Sequence, residues 1–117
     1  MLFVCYSGCS TCKKARAWLD EAGLDYIVRD VKEAPPTAQE LDAWQTRSGL
    51  PMKKFFNTSG QSYRAPGMKE RVASVTREEQ LALLAADGML VKRPILVTDE
   101  VVLVGFRPAE WEAALRE

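Results

Sequence analysis

The sequence predicts an α/β protein in which a β-α-β unit is followed by a helical segment and then by a β-β-α unit. Apolar runs at residues 2–6 and 26–31 flank a segment with helical spacing. A strand, a helix and a strand this close together are typical of parallel neighbours joined by a right-handed crossover. Helical patterns then dominate residues 37–88, and two β-branched runs precede a last helical stretch.

The first part of the chain contains the predicted β-α-β unit. Residues 2–6 form an apolar run that is typical of a buried strand. From Thr11 the apolar residues recur at helical spacing, and Gly23 is a fitting C-terminal stop. The residues on the inward face are Ala15, Trp18, Leu19 and Ala22. Residues 26–31 then predict a second strand.

Capping signals place the helices of the central segment. In two places a Thr is followed three residues later by a Glu, which is the pattern of a capping box. These pairs are Thr37 with Glu40 and Thr76 with Glu79. A shorter helix is expected over residues 68–72.

The last part of the chain contains the predicted β-β-α unit. The β-branched runs at residues 95–97 and 101–104 are separated by Thr98-Asp99-Glu100, which predicts a hairpin. Pro108 is favourable in the first turn of a helix, so we expect the final helix to begin there.

Length and composition indicate a single globular domain. The chain has 117 residues, 47% of them hydrophobic and 27% charged, which excludes a disordered tail or a bare disulfide scaffold. We expect one domain over residues 1–117, with a core of residues 1–34 and 89–117 and a helical insertion at about 37–88. A monomer is the default expectation.

The charge balance and the hydropathy pattern exclude several kinds of partner. Lys plus Arg and Asp plus Glu each number 16, and this balance argues against direct binding of nucleic acid. No apolar run approaches the roughly 20 residues of a membrane helix. We therefore expect a cytoplasmic protein without a membrane partner.

A Cys-x-x-Cys motif lies where the first predicted strand gives way to the first helix. Cys9 precedes the helix, and Cys12 lies in its first turn. Unpaired N–H groups and the macrodipole at a helix N-terminus stabilise an anion, so a thiolate there has a lowered pKa. We therefore predict Cys9 as the nucleophile and Cys12 as the thiol that resolves a mixed disulfide. The sequence has no His, which excludes Cys-His catalysis.

Three other interpretations of the cysteines remain open. A zinc site needs four ligands, and three Cys without His leave it short unless a carboxylate joins or two chains share the metal. Cys5, Cys9 and Cys12 also have the spacing of an iron–sulfur site in radical enzymes, which usually carry a much larger barrel domain. The third interpretation is inert packing. A Cys-x-x-Cys at a βα junction in a cytosolic chain favours redox chemistry, so we expect no metal.

Arg93 and Arg107 are candidate anion ligands, because a guanidinium offers forked donors to an oxyanion. Each precedes a proline and is thereby restricted to extended backbone, although ordinary surface ion pairs are the alternative for each. Pro94 opens a predicted strand. In a redox fold of this shape it would be cis and would face the cysteine loop.

Four short motifs are spread in order over nearly the whole chain. They are Tyr6-x-x-Cys9-Ser10-Thr11-Cys12-Lys13-Lys14-Ala15, Pro35-Pro36, Arg93-Pro94-Ile95 and Gly105-Phe106-Arg107-Pro108. Together they resemble the arsenate reductase/Spx family of thioredoxin-fold proteins. Residues 49–60, with Tyr63-Arg64, are similar to a bacterial subgroup known only as the arsenate reductase family.

The resemblance implies a thioredoxin-like fold of glutaredoxin type with a helical insertion. It also implies that Cys9 occupies the position of the nucleophile that attacks arsenate. Arg93 and Arg107 would then occupy two of three anion-binding arginine positions, and the third falls at or near Asn57. The candidate replacements for that third charge are Lys53, Lys54 and Arg64.

Three functional hypotheses are considered for a protein with this resemblance. The first is a thiol-dependent oxidoreductase of arsenate reductase type that acts on a small oxyanion. Cys12 lies at a position where those reductases commonly have a residue without a thiol, which implies a Cys9–Cys12 disulfide. We expect thioredoxin, or glutathione with glutaredoxin, to reduce this disulfide, and we expect no bound cofactor. The second is an Spx-like redox-switched transcription regulator that binds the C-terminal domain of the RNA polymerase α subunit without base contacts. A thioredoxin-fold protein with a regulatory disulfide and no substrate is a third interpretation.

Overall fold

A four-stranded mixed sheet forms the centre of the protein. This computed structural model describes residues 1–115, and residues 116–117, which end the predicted core, lie outside them. The strands are β1 (Leu2–Cys5), β2 (Ile27–Asp30), β3 (Ile95–Val97) and β4 (Val102–Val104).

The order of the strands across the sheet is β2-β1-β3-β4. β1 pairs parallel with β2 and antiparallel with β3, and β3 pairs antiparallel with β4. The predicted parallel β-α-β unit and the predicted hairpin are therefore both confirmed. Each strand other than β3 is shorter than predicted by one or two residues, because apolar side chains continue past the last ladder partner.

The helices follow the predicted order. They are α1 (Ser10–Glu21), α2 (Ala38–Ser48), α3 (Gln61–Arg64), α4 (Met68–Ser74), α5 (Arg77–Ala86) and α6 (Pro108–Leu115). Thr37 and Glu40 form a reciprocal capping box, and the Thr76 side chain accepts a hydrogen bond from the Glu79 amide. The one-turn helix α3 and the 3₁₀ turns Met52–Phe55 and Gly88–Leu90 were not predicted, because segments this short have no periodicity to detect.

The sheet separates two hydrophobic clusters. Side chains alternate between the two faces of a strand, so Phe3 and Cys5 pack with α1 and α6, whereas Val4 packs with the helices between β2 and β3. Within residues 1–115, no helix is long and apolar enough to cross a membrane.

A glycine allows the helical segment to lie close to the sheet. A Cβ atom on Gly88 would lie 1.9 Å from the carbonyl oxygen of Val31, just after β2. Because a real Cβ cannot approach an oxygen so closely, only glycine permits this contact. The segment between β2 and β3 is thereby held against the end of the sheet that also carries the cysteine loop.

Candidate active site

Cys9 is the N-cap residue of α1 and is half-buried at the start of that helix. Its extended backbone turns the side chain back over the first turn, so its Sγ accepts a hydrogen bond from the Cys12 amide at 3.4 Å. The sulfur thus takes the place that a Ser or Asp oxygen takes in other helices, where it satisfies an N–H group with no partner inside the helix.

Cys12 lies directly beneath Cys9 and is 3% exposed. Burial, together with the proton that its thiol donates to the Cys9 sulfur, raises the pKa of Cys12 to about 12. Burial opposes ionisation of Cys9 as well, but hydrogen bonds from the amide and thiol of Cys12 and the charge of Arg93 outweigh it. The pKa of the Cys9 thiol is therefore lowered, and the two cysteines are both free thiols with opposite tendencies to ionise.

The guanidinium of Arg93 lies close enough to the Cys9 sulfur for its positive charge to help lower the pKa of that thiol. Its Nε and Nη1 atoms are buried and find no hydrogen-bond partner among the described residues. Buried donors without partners are costly, and most such groups in proteins are paired. These two donors are therefore candidates for hydrogen bonds to a bound anion. The peptide bond between Arg93 and Pro94 is cis.

The registers of the sheet explain how distant residues meet here. Val4 faces Ile95 across β1 and β3, and the same antiparallel register, carried past the strand ends, sets Tyr6 opposite Arg93. The pairing of Ile95 with Val104 likewise sets Phe106 opposite Arg93. The cysteine loop and the segment around Arg107 therefore converge on Arg93.

A cleft of about 560 Å³ lies beside the cysteine loop. Arg93 and Arg107 both line it, so the structure brings the two predicted anion ligands together with Thr11 of the Cys-x-x-Cys motif. The rest of its lining is Leu50, Pro51, Lys53, Lys54, Phe56, Thr58, Lys92, Val104, Gly105, Phe106 and Glu110. A pocket of this size is typical of small-molecule sites.

The cleft distinguishes among the candidates for the third positive charge. Lys53 and Lys54 line it, whereas Arg64 lines an adjoining cleft. Asn57 is half-buried, and its backbone N–H donates a hydrogen bond to the Leu90 carbonyl at 2.7 Å. Asn57 is not among the residues that line either cleft, so the two lysines are the nearer substitutes.

Sequence reasoning missed two contributions to this site. The Tyr6 ring packs against the Arg93 guanidinium, with 5.1 Å between Arg93 Cζ and the ring centroid. Lys92 lines the same cleft next to Arg93 in the chain. The order of the strands would have predicted the contact between Tyr6 and Arg93. Nothing in the sequence alone would have predicted that Lys92 lines the cleft.

The segment that carries Arg107 is fixed by aromatic packing. The indole Nε1 of Trp111 donates a hydrogen bond to the Gly105 carbonyl at 3.0 Å. The rings of Phe106 and Trp111 pack edge to face at 4.9 Å, and Trp18 packs against both. Gly105 itself has a φ of 77°, in the left-handed region that favours glycine.

Cys5 lies in β1 on the same face of the sheet as Cys12 and is 6% exposed. Burial and the nearby Asp30 carboxylate raise the pKa of its thiol. Among residues 1–115, no group of three or more Cys, Asp or Glu side chains is arranged to hold a metal ion.

The sheet order, together with the Cys-x-x-Cys motif at the start of α1, defines a thioredoxin-like protein of the ArsC type. The chain belongs to the ArsC family, whose sequence pattern matches residues 5–114. The resemblance to arsenate reductase and Spx proteins is thereby confirmed.

Relatives of the chain include both proteins of unknown function and regulators. The uncharacterized protein YusI of Bacillus subtilis is 46% identical over 112 residues, which cover 96% of this chain and 95% of YusI. The regulatory protein MgsR of the same organism is 26% identical over 110 residues, which cover 94% of this chain and 86% of MgsR.

Two solved structures share the fold closely. A putative ArsC family related protein from Bacteroides fragilis superposes with a TM-score of 0.91 at 52% identity, covering 96% of this chain and 94% of that one. A possible arsenate reductase from Streptococcus mutans superposes with a TM-score of 0.87 at 45% identity, covering 97% of each chain.

Proposed function

We propose that the protein is a thiol-dependent oxidoreductase in which Cys9 is the nucleophile and Cys12 the resolving thiol. The observation that carries this proposal is the environment of the Cys9 sulfur. That sulfur accepts a hydrogen bond from the Cys12 amide and lies beside the Arg93 guanidinium, and its pKa is lowered. A lowered pKa increases the fraction of thiolate near neutral pH, and the thiolate is the nucleophilic form.

The reaction proposed for arsenate has two chemical steps. The Cys9 thiolate attacks arsenic, an S–As bond forms, and one oxygen leaves as water after taking up protons from solvent. Cys12 then loses its proton and attacks Cys9 Sγ. The S–As bond breaks with its electron pair left on arsenic, so As(V) becomes As(III) and the two thiols become a Cys9–Cys12 disulfide.

The position of Cys12 supports its role as the resolving thiol. Cys12 lies one helical turn from Cys9, and its backbone amide already contacts the Cys9 sulfur at 3.4 Å, so attack needs little movement. When Cys9 carries an adduct, its sulfur is no longer a thiolate that accepts the Cys12 proton. One cause of the raised pKa of Cys12 is thereby removed, which favours the second step.

An oxyanion is the small-molecule substrate that the cleft supports best. Arg93 presents two buried donor atoms without partners, and Arg107 lines the same cleft. Lys53 and Lys54 would supply the charge of the third family arginine. Guanidinium groups bind tetrahedral oxyanions through paired hydrogen bonds, which favours arsenate over an uncharged substrate.

The reductant that completes the cycle is thioredoxin, or glutathione with glutaredoxin. Either would reduce the Cys9–Cys12 disulfide by thiol–disulfide exchange, with no bound cofactor. We place this cycle in the cytoplasm, where such systems keep thiols reduced.

NADPH-coupled arsenate reduction tests the proposal, with the thioredoxin system and the glutathione/glutaredoxin system assayed in parallel. We expect turnover in one of them and none for Cys9→Ser, with Cys5→Ser as the matched control that retains activity. Full turnover of Cys9→Ser would refute the mechanism. No turnover of the folded wild-type protein in either system would refute arsenate as the substrate.

A second candidate function is an Spx-like redox-switched regulator. The 26% identity to the regulatory protein MgsR over nearly the whole chain favours it. The partner would be the C-terminal domain of the RNA polymerase α subunit, and the Cys9–Cys12 pair would be the switch. Calorimetric titration of that domain into the reduced and the oxidised protein tests this function, and an absence of binding in both states would exclude it.

A further inference from the structure

Two adjoining clefts form a groove that runs from the cysteine loop along the helical segment. The first is the 560 Å³ cleft beside Arg93, and the second, of about 550 Å³, is lined by Arg64, Lys69 and neighbouring residues. Lys53 and Thr58 line both clefts, which makes them contiguous. We call the two together the cationic groove.

The groove concentrates positive charge in a protein whose formal net charge is zero. Its basic lining residues are Lys53, Lys54, Arg64, Lys69, Lys92, Arg93 and Arg107. Among residues 1–115, the acidic residues that line the groove are Glu70 and Glu110. The salt bridges found within residues 1–115 join Arg29 to Glu40 and Arg77 to Asp42, outside the groove. None of the groove's cations is therefore in a salt bridge within the described part of the chain.

The groove is larger than an oxyanion requires. Each cleft alone has the volume of a site for a drug-sized ligand, whereas arsenate needs only the donors around Arg93. The wall of the first cleft is partly apolar, with Leu50, Phe56 and Phe106 among the cations. A lysine side chain is flexible and pairs well with a single carboxylate, so several lysines can bind successive acidic residues of a polypeptide. The apolar wall of the cleft can contact the side chains that lie between those acidic residues.

From these observations we propose that the groove binds an extended acidic polypeptide segment, carried by a protein whose disulfide is a substrate of Cys9. This inference rests on the thiol chemistry proposed above and names a substrate class for it. The acidic segment would lie along Lys53 towards Arg64 and Lys69, while the disulfide lies at the cysteine loop. A concentration of one charge sign in a cleft also accelerates encounter with an oppositely charged partner.

In the exchange that follows, the partner's disulfide is reduced and the two cysteines of the protein are oxidised. The Cys9 thiolate attacks one sulfur of the partner's disulfide, so a Cys9–sulfur bond forms and the partner's second sulfur leaves as a thiolate and is protonated by solvent. Cys12 loses its proton and attacks Cys9 Sγ, which releases the first partner sulfur. The partner gains two electrons and two protons, and the Cys9–Cys12 disulfide is later reduced by an external dithiol.

Synthetic peptides of two compositions, each made in two versions, test this proposal. Each peptide carries one cysteine as a mixed disulfide with 2-thiopyridine. A short run of Glu flanks this cysteine in the Glu peptide, and a run of Gln flanks it in the Gln peptide. Separate versions place the run before or after the cysteine. Release of 2-thiopyridone gives the second-order rate with the full-length reduced protein. At low salt we expect the Glu peptide to react at least ~10-fold faster, and the advantage to vanish at high salt.

Variants of the second cleft locate the effect. We expect Arg64→Gln together with Lys69→Gln to remove most of the advantage of the Glu peptide and to leave the rate of the Gln peptide unchanged. Arg71→Gln is the matched control, because Arg71 is an exposed cation of the same helix, α4, and does not line either cleft. It should change neither rate.

Several outcomes would overturn the inference. These are equal rates for the two peptides, an advantage that survives in the double variant, or an equal loss in Arg71→Gln. Inhibition of both peptides alike by a single-stranded oligonucleotide would assign the groove to nucleic acid instead. Failure of the proposed function is distinguishable, because the wild-type protein would then react with the Gln peptide no faster than Cys9→Ser does.

Discussion

The guanidinium of Arg93 lies over the ring of Tyr6, 5.1 Å from Arg93 Cζ to the ring centroid. A contact of this kind holds a cation through the face of the ring without using its N–H donors. The contact with Tyr6 therefore leaves the N–H donors of Arg93 unused by the ring. A Cβ atom on Gly8 would lie 2.8 Å from the Tyr6 ring, so glycine at that position lets the ring pack against the cysteine loop.

The pH dependence of Cys9 alkylation reports on its lowered pKa. Reactivity with iodoacetamide should rise with pH through a midpoint below that of a free cysteine, because only the thiolate reacts. Cys12→Ala removes a hydrogen-bond donor and Arg93→Gln removes a positive charge, so each should move the midpoint to higher pH. Arg107→Gln should not move it. Alkylation of Cys9 is followed by mass spectrometry in a Cys5→Ala background. An unchanged midpoint in Arg93→Gln would contradict this account of the site.

The geometry of Arg93, and not only its charge, should determine turnover of an oxyanion. Arg93→Lys keeps the charge but loses the forked donors, so we expect kcat/KM for arsenate to fall by about 100-fold. Arg107→Gln, at the exposed side of the cleft, should act mainly through KM, with a loss of about 10-fold. Steady-state kinetics separate the two effects. Unchanged kinetics in Arg93→Lys, with a loss only in Arg107→Gln, would show that only net charge matters.

Trp111 positions the segment that carries Arg107. Trp111→Phe retains an aromatic ring but leaves the Gly105 carbonyl without its donor, which should lower the free energy of unfolding by about 1–3 kcal/mol. It should also raise KM for the anion, while the midpoint of Cys9 alkylation stays unchanged. Trp18→Phe is the matched control, since Trp18 is only half-buried and its indole has no such bond. Urea unfolding and steady-state kinetics make the comparison.

Gly88 should tolerate no side chain. Gly88→Ala places a Cβ atom against the Val31 carbonyl, so the backbone must shift and the free energy of unfolding should fall by about 3 kcal/mol. Gly23→Ala serves as a comparison, because Gly23 has a positive φ and open space around it. Its cost should be only about 1 kcal/mol, from backbone strain alone. A loss for Gly88→Ala no greater than that for Gly23→Ala would show that the close contact is absent in solution.

The sequence was sufficient for the order of elements because each long element carries its own periodicity. The two threonine capping boxes and the β-branched runs around Thr98 predicted helix starts and a hairpin without knowledge of the tertiary structure. The one-turn helix α3 could not be predicted in this way. Its four residues carry no period, and its packing depends on Tyr63 being buried against residues outside the helix such as Phe56.

The candidate site could be predicted only in part. Cys9 and Cys12 are three residues apart at the start of a helix, so their spacing already predicts that their side chains lie close together. The meeting of Tyr6 with Arg93 depends on the pairing of β1 with β3, which joins residues about 90 apart and is not encoded by any local pattern. The adjoining cleft at Lys69 likewise arises from the fold of the helical segment, where an exposed lysine has no distinguishing signal in the sequence.

The central claim is that Cys9 attacks and Cys12 resolves, and trapping with a limiting amount of a small disulfide tests it most directly. Each protein, reduced and then mixed with the disulfide, is mapped by peptide mass spectrometry. The account predicts a Cys9–Cys12 disulfide in the wild-type protein and a stable adduct on Cys9 alone in Cys12→Ser. An adduct on Cys12 or Cys5 in the Cys9→Ser protein at the wild-type rate, or a wild-type disulfide that omits Cys9, would contradict it.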